Sequence, residues 1–247
     1  MITESAYTFK ILRYDAANPD MKPEFKSYRI KVIPGLTVLA MLIRIRDEID
    51  GTLSFRSSCR SAVCGSCAMS INGKIDLACR TQVASFESNT IILEPLPNMD
   101  IIKDLVVDLT PFWNMYEKIQ PYLIRKSLSP PKEIAQSEEE RSRIDQFVNC
   151  ILCASCYGAC PVASRDPEYL GPAALVKLER FILDSRDERG VRFLEKVNNE
   201  KGLWGCDTVL RCIDACPKDV RPTDAIVGLR KILMKEKAKR LFSKGKQ

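Results

Sequence analysis

Residues 7–14, Tyr-Thr-Phe-Lys-Ile-Leu-Arg-Tyr, alternate apolar and polar side chains, and residues 28–33, Tyr-Arg-Ile-Lys-Val-Ile, do so again. A period of two marks a strand with one buried face. Asn18-Pro19-Asp20 lies between the two segments and reads as a turn. From Leu36 to Ile49 the apolar spacing becomes helical, opened by Pro34-Gly35 and Thr37. A Gly- and Ser-rich loop with cysteines runs from Ser57 to Ser66. Residues 68–71 and 74–77 flank Asn72-Gly73, the strongest short-range hairpin signal. Residues 90–94, Thr-Ile-Ile-Leu-Glu, form a closing strand.

After Leu96-Pro97 the alternation stops and helical spacing takes over. Thr110-Pro111 is the N-cap and first-turn proline of a helix expected to run to about Leu123. Ser129-Pro130-Pro131 breaks the chain. Ser137 and Glu140 fit a capping box that starts a charged helix toward Cys150. Pro172 suits the first turn of a helix ending near Asp184, and Asp187 to Asn198 predicts another. Thr223 is the expected cap of a last helix with Ile226, Leu229, Ile232 and Leu233 on its apolar face. The expected fold is therefore α+β. A β-grasp-like domain occupies residues 1–105 and an all-α domain residues 106–247, with the boundary between about 97 and 108.

A chain of 247 residues is long enough for two such domains, each with its own core. Its 45% apolar and 28% charged residues are those of an ordinary globular protein. No apolar run approaches the ~20 residues of a membrane helix, since Leu36 to Ile45 is cut by arginine. The N-terminus lacks a basic-then-apolar signal region, so neither secretion nor organelle import is expected. The formal charge of +6 raises the question of nucleic acid. Bound clusters of about −2 each, thiolates included, bring it near zero, so no nucleic-acid partner is expected. The basic tail (Lys235, Lys237, Lys239, Arg240, Lys244, Lys246) is read as a solvated helix end, with an acidic lipid surface as the alternative.

The chemistry lies in the cysteines. There are 11, with no histidine, in a chain without an export signal. An odd count there argues against a disulfide framework. The missing histidine removes Cys2His2 zinc, Rieske centres, histidine-ligated haem and histidine acid–base catalysis within the chain. Cys59, Cys64 and Cys67 have the C-x4-C-x2-C spacing of plant-type [2Fe–2S] ligands, with Cys79 folded back by the Asn72-Gly73 hairpin. Structural zinc is the alternative, but the Gly/Ser loop and the C-x4-C pair suit it poorly. Cys150, Cys153, Cys156 and Cys160-Pro161 form the bacterial ferredoxin run C-x2-C-x2-C-x3-C-P, whose fourth cysteine ligates a different cluster. Cys206, Cys212 and Cys216-Pro217 repeat that run with Val209 in place of its second cysteine. Cross-ligation assigns Cys150, Cys153, Cys156 and Cys216 to a [4Fe–4S] cluster. It leaves Cys160, Cys206 and Cys212 with three thiolates, the set for a [3Fe–4S] cluster. A four-iron cluster with water or Asp207 at the open corner is the alternative. All 11 cysteines are then used, and none remains as a nucleophile.

Ser58-Cys59-Arg60, Cys64-Gly65-Ser66-Cys67, Leu77-Ala78-Cys79, Pro95-Leu96-Pro97 and 102–108 resemble the iron–sulfur subunit of succinate dehydrogenase and fumarate reductase, respiratory complex II. The likeness continues through Cys150 to Pro161, Gly171-Pro172-Ala173, Asp184-Ser185-Arg186-Asp187 and Cys212 to Pro222, and so covers nearly the whole chain. The resemblance implies a plant-type ferredoxin domain followed by a bacterial-ferredoxin-like helical one. It implies an electron wire from an FAD-containing flavoprotein subunit through [2Fe–2S], [4Fe–4S] and [3Fe–4S] to a quinone, menaquinone or ubiquinone, at membrane anchor subunits. No substrate-transforming site is expected in this chain. With no presequence pattern, the implied location is peripheral, on the cytoplasmic face of a prokaryotic inner membrane. Two positions depart from the family. Asp207 stands where many members carry histidine, and residues 162–166 lack the tryptophan that many carry after the Cys-Pro. These departures put the usual ubiquinone contacts in question, with Arg165 and Asp207 as polar replacements or plain surface residues. Trp113, Tyr157 and Trp204 are read as packing residues, and Trp204 also as a water shield for the third cluster. A soluble or thiol-coupled fumarate reductase subunit without a conventional quinone site is the rival function.

Overall fold

The computed structural model describes residues 5–128 and 130–244, without the side chains of Ser5, Ser243 and Lys244. Ser129 of the expected break, Lys246 and the Lys244 side chain lie outside it. The fold is α+β, and every strand among the described residues precedes Thr110. Two compact units form. One takes the chain to Pro111 together with Ile151–Ala159 and Ala215–Pro217; the other takes Phe112–Cys150, Cys160–Asp214 and the chain from Lys218.

The first unit is built on a five-stranded sheet of β1 (Ser5–Arg13), β2 (Glu24–Val32), β3 (Ala68–Ile71), β4 (Lys74–Leu77) and β5 (Thr90–Glu94). Its order is β2-β1-β5-β3-β4. β1 runs antiparallel to β2, with Phe9 opposite Tyr28, and parallel to β5, with Phe9 opposite Ile91. Helix α1 (Val38–Glu48) crosses between them, and the Thr37 hydroxyl accepts from the Ala40 amide at 3.2 Å. Buried Val38, Leu42 and Ile45 of α1 share the core with Phe9, Ile11, Ile91 and Leu93. This is the β-grasp arrangement that the alternating segments predict.

A two-stranded ribbon, β6 (Ile101–Lys103) and β7 (Val106–Val107), was not expected. Strands this short offer no window in which alternation can be read. A buried charge organises the ribbon instead. The Asp104 carboxylate accepts from Arg13 Nε at 2.9 Å and from the Ser54 amide at 2.8 Å. Arg13 Nη1 also reaches Asp50 at 2.7 Å.

In the second unit α2 (Thr110–Glu117) stops short of Leu123. Gln120 takes a left-handed φ of 51° and Pro121 follows, which ends the helical hydrogen-bond pattern. The Arg189 guanidinium satisfies the carbonyls left without helical partners, donating to Ile119 O at 3.0 Å, Gln120 O at 3.1 Å and Tyr122 O at 2.5 Å. Helix α3 (Glu138–Val148) carries the expected capping box, with Ser137 and Glu140 bonding each other's amides at 3.2 and 2.8 Å. The cysteine-bearing helices are short: α4 (Ser155–Gly158, in the first unit), α5 (Pro161–Arg165) and, after α6 (Gly171–Leu183), α7 (Arg211–Asp214). The helix expected over 187–198 is a 3-10 segment, Val191–Val197. Asp187 is held by Arg189 at 2.9 Å and Gly190 has φ 70°, so the chain cannot start helical before Val191.

Helix α8 (Pro222–Lys244) packs on α6, with Ile226, Leu229 and Leu233 buried against a core that includes Leu175 and Leu178. Thr223 lies inside the first turn of α8 rather than capping it. Among the described residues no helix is long and apolar enough to cross a membrane.

Candidate functional site: three cysteine constellations

The loop holding Cys59, Cys64 and Cys67 is bent by left-handed residues, Arg60 (φ 58°), Ala62 (φ 54°) and Gly65 (φ 74°). Successive reversals turn amides inward into an anion-binding concavity. Cys59 Sγ receives the amides of Ser61 at 3.4 Å, Val63 at 3.3 Å and Cys64 at 3.2 Å. The Ala62 amide donates to Cys79 Sγ at 3.2 Å, and the Cys59 amide to Cys64 Sγ at 3.5 Å. The Ser66 hydroxyl lies 3.2 Å from Cys64 Sγ. Burial pushes the Cys64 thiol up, but the Ser66 hydroxyl and the backbone amides outweigh it and bring the group down to about 6. Cys67 has little such help, and burial drives it up to about 12. Five amides turned on sulfur fit an anionic thiolate-ligated cluster, whose net negative charge they stabilise.

Gly65 has a second role within the same unit. A Cβ there would fall 2.6 Å from Cys153 Cβ and 2.9 Å from its Cα. Only glycine lets the first cysteine loop lie against the backbone of the second group. Arg80, next to Cys79, donates to the Pro217 carbonyl beside Cys216. Cys153, Cys156 and Cys216 thus share the first unit with Cys59, Cys64, Cys67 and Cys79, while Cys150 ends a segment of the second. Leu152 (φ 55°) and Ala154 (φ 62°) shape this run as Arg60 and Ala62 shape the first loop. The Cys150 carbonyl accepts from the half-buried Lys177 ammonium at 3.0 Å.

The third group lies within the second unit. Cys160, Cys206 and Cys212 line one cavity, and Val209 lines it with them. Thr208 (φ 60°) and Leu210 (φ 64°) flank Val209, and the Thr208 amide donates to Cys206 Sγ at 3.4 Å. The Thr223 hydroxyl, expected to cap α8, instead lies 3.2 Å from Cys212 Sγ. Burial pushes the Cys160 and Cys212 thiols up. An isopropyl side chain cannot bind iron, so the cavity is lined by three cysteines with an apolar Val209 beside them. Asp207 lines the cavity too, but its carboxylate is paired with Arg165 at the surface.

Tyr169 is the residue that sequence reasoning missed. It is 1% exposed and lines the same cavity, and its hydroxyl has no hydrogen-bond partner among the described residues. Buried hydroxyls are normally paired. Burial, with the Cys206, Cys160 and Cys212 thiolates adding to it, pushes the phenol well above its usual range. An orphaned donor aimed among three thiols fits a sulfur-rich anionic group. No spacing rule points to a tyrosine 37 residues before the first cysteine of its partner pair; its only local mark is the Leu170-Gly171-Pro172 helix start that follows it.

Trp204 does not line the cavity. It is 44% exposed, bonds Asn198 Oδ1 at 2.8 Å and lies under Arg230, so the water-shield expectation is corrected. Trp113 packs edge-on against Phe112 and Tyr116, and Tyr157 is buried. Among the described residues no three Cys, Asp or Glu side chains are drawn together as a single metal ion requires.

Comparison with known proteins places these geometries. The family described as "2Fe-2S iron-sulfur cluster binding domain" matches residues 8–114, and "4Fe-4S dicluster domain" matches residues 143–217. The chain is 44% identical over 229 residues to succinate dehydrogenase [ubiquinone] iron-sulfur subunit 1, mitochondrial, of Oryza sativa subsp. japonica; that covers 91% of this chain and 81% of the relative. Its identity to the mitochondrial counterpart of Candida glabrata is 42% over 229 residues, 92% of this chain and 90% of that one. In fold it resembles a chain of the Mycobacterium smegmatis Sdh1 complex in the apo form, with a TM-score of 0.85 at 24% identity, covering 96% of this chain and 98% of that one.

Proposed function

The chain belongs to the family of succinate dehydrogenase iron–sulfur subunits, and from that premise we propose that it relays electrons through three clusters between a flavoprotein subunit and a membrane quinone. When bound, such clusters supply one-electron stations whose potentials the surrounding protein sets. Cys59, Cys64, Cys67 and Cys79 hold [2Fe–2S]. Cys150, Cys153, Cys156 and Cys216 hold [4Fe–4S] by the spacing and cross-ligation rule. Cys160, Cys206 and Cys212 hold [3Fe–4S]. Residues 1–105 and 106–247 are the corresponding domains. The order is FAD, [2Fe–2S], [4Fe–4S], [3Fe–4S], quinone. The chain supplies ligation, spacing and charge stabilisation, while succinate and fumarate are transformed on the flavoprotein partner.

The observation that carries this reading is that the spacing divides all 11 cysteines into three groups, and that Cys160, Cys206 and Cys212 line one cavity together with Val209. The amides turned on Cys59 and Cys79, and the Gly65 approach to Cys153, support the first two stations. The quinone, menaquinone or ubiquinone, binds nearest the third station. There the Arg165–Asp207 pair stands in place of the histidine that many members carry. The chain meets the membrane through anchor subunits, on the cytoplasmic face of a prokaryotic inner membrane.

The test is a redox titration of the purified complex followed by electron paramagnetic resonance (EPR). Three centres are expected, one of them a three-iron signal in the oxidised protein, with succinate-dependent quinone reduction. Isolation of this chain with a flavoprotein but no membrane subunit, and no electron transfer to quinone, would overturn the quinone arm. A colourless chain without iron and acid-labile sulfide would overturn the relay.

A further inference from the structure

Resting on the assignment of a cluster to Cys160, Cys206 and Cys212, we infer that Tyr169 is a positioning residue for that centre, donating its phenolic hydrogen to the cluster's sulfur on the Cys206 side and holding its reduction potential up.

The ring is fixed in place. A Cβ on Gly205 would lie 2.9 and 3.1 Å from Tyr169 Cδ2 and Cε2, so the ring packs on the backbone that leads into Cys206. The Tyr169 amide bonds Asp166 O at 3.2 Å, and the next amide, Leu170, bonds Lys201 O at 2.8 Å. Gly171, with φ 81°, then turns the chain into α6. The hydroxyl is carried on a side chain that is almost wholly buried.

Elimination identifies the acceptor. The other oxygen-bearing side chains that line the cavity are Asp207, which is taken by Arg165, Thr223, which is taken by Cys212 Sγ, and Thr208, which is exposed and makes no bond to the Tyr169 hydroxyl. Sulfur remains. A buried donor left unmade costs more than the bond gains, so the phenol needs that acceptor. A hydrogen bond to sulfur favours the more negative, reduced state and raises the potential. A bond to a charged acceptor corresponds to about a tenfold change in the oxidised-to-reduced ratio.

The experiment is Tyr169→Phe in the full chain with its partner subunits, with the third centre titrated by EPR. The three-iron signal is expected to persist while its midpoint falls by about 59 mV, the one-electron equivalent of tenfold. Pulsed EPR of protein exchanged into deuterated water should lose one exchangeable-proton coupling relative to the wild type. An unchanged midpoint and an unchanged coupling would leave Tyr169 a packing residue and overturn the inference. Should the phenylalanine variant fail to load iron, 3,5-difluorotyrosine at position 169 keeps the ring and strengthens the donor. The midpoint is then expected to rise, and an unmoved value again overturns the inference. A wild-type protein without any three-iron signal would sink the cluster assignment itself, which separates the two failures.

Discussion

At the residue scale, the proposed composition of the third station turns on Val209. It shares the cavity with three thiols, in the place that a ferredoxin run gives to a cysteine. Val209→Cys is expected to add the fourth ligand and convert the centre from three irons to four. The oxidised three-iron EPR signal should vanish and the iron content rise by one per chain; a signal that survives unchanged would refute the register of residues 206–216. Glu179 is a second decisive residue. It is 4% exposed on α6, and its Oε2 has no partner among the described residues. Its Oε1 occupies the space a Cβ on Gly228 would need, which would lie 2.0 Å away. Burial raises its carboxyl to about 8, with Asp224 adding to the effect. A folded-state value above the unfolded one means that the fold holds the proton. That stability is present in full below the unfolded value of about 4.5 and is lost as pH rises through about 8. Thermal unfolding should therefore fall between pH 5 and 8 more steeply in the wild type than in Glu179→Gln. Equal slopes would show that Glu179 stays ionised in the fold.

At the scale of elements, loops built from left-handed residues turn backbone amides into cluster supports, and a glycine sets how near two cysteine groups approach. Gly65→Ala places a methyl within 2.6 Å of Cys153 Cβ at a φ of 74°. Left-handed strain alone costs about 1–2 kcal/mol, and the clash must be relieved by backbone movement. The expected result is a melting temperature lower by several degrees and partial loss of the [2Fe–2S] absorption. Unaltered spectra and stability would mean that the loop can withdraw from Cys153 freely. The ends of α2 and of the 3-10 segment at Val191 follow the same logic. Arg189 binds the carbonyls of 119, 120 and 122 and the Asp187 carboxylate together, so one side chain, distant in sequence from α2, holds the end of α2 and the start of the 3-10 segment.

At the scale of the whole molecule, the proposed ligation predicts that metal binding and folding are coupled. Helices α4, α5 and α7 have four, five and four residues. Isolated helices this short are unstable in water, because the first turn must be nucleated for very few hydrogen bonds. On the proposed function, cysteine ligation offsets that cost. Removal of iron by acid or chelator should therefore remove a large part of the far-ultraviolet helical signal, recoverable on reconstitution. Persistence of the full helical signal in iron-free protein would show that the α6–α8 core stands without the clusters. The formal charge of +6 belongs to this scale as well. The three proposed anionic clusters would bring it near neutrality, so weak binding to polyanions is expected of iron-free protein and little of the loaded form.

Much of this architecture could be read along the chain because it rests on local chemistry. Alternation placed β1 and β2. Asn72-Gly73 placed the β3–β4 hairpin, and Ser137 with Glu140 placed the start of α3. Cysteine spacing pointed to the first group, where one loop turns its amides on Cys59 and Cys79, and to the third, which lines one cavity, since ligand geometry repeats at fixed short separations. Four features depended on residues far apart in sequence. They are the parallel pairing of β1 with β5, the β6–β7 ribbon on the Arg13–Asp104 pair, the ends of α2 on Arg189, and Tyr169 within the third cavity. Each joins groups whose proximity has no period and no fixed spacing, and the energy that favours it exists only after burial. Thr223 shows the boundary between the two kinds of information. Its local pattern correctly marked the start of α8, but packing turned its hydroxyl away from the helix end and onto Cys212 Sγ.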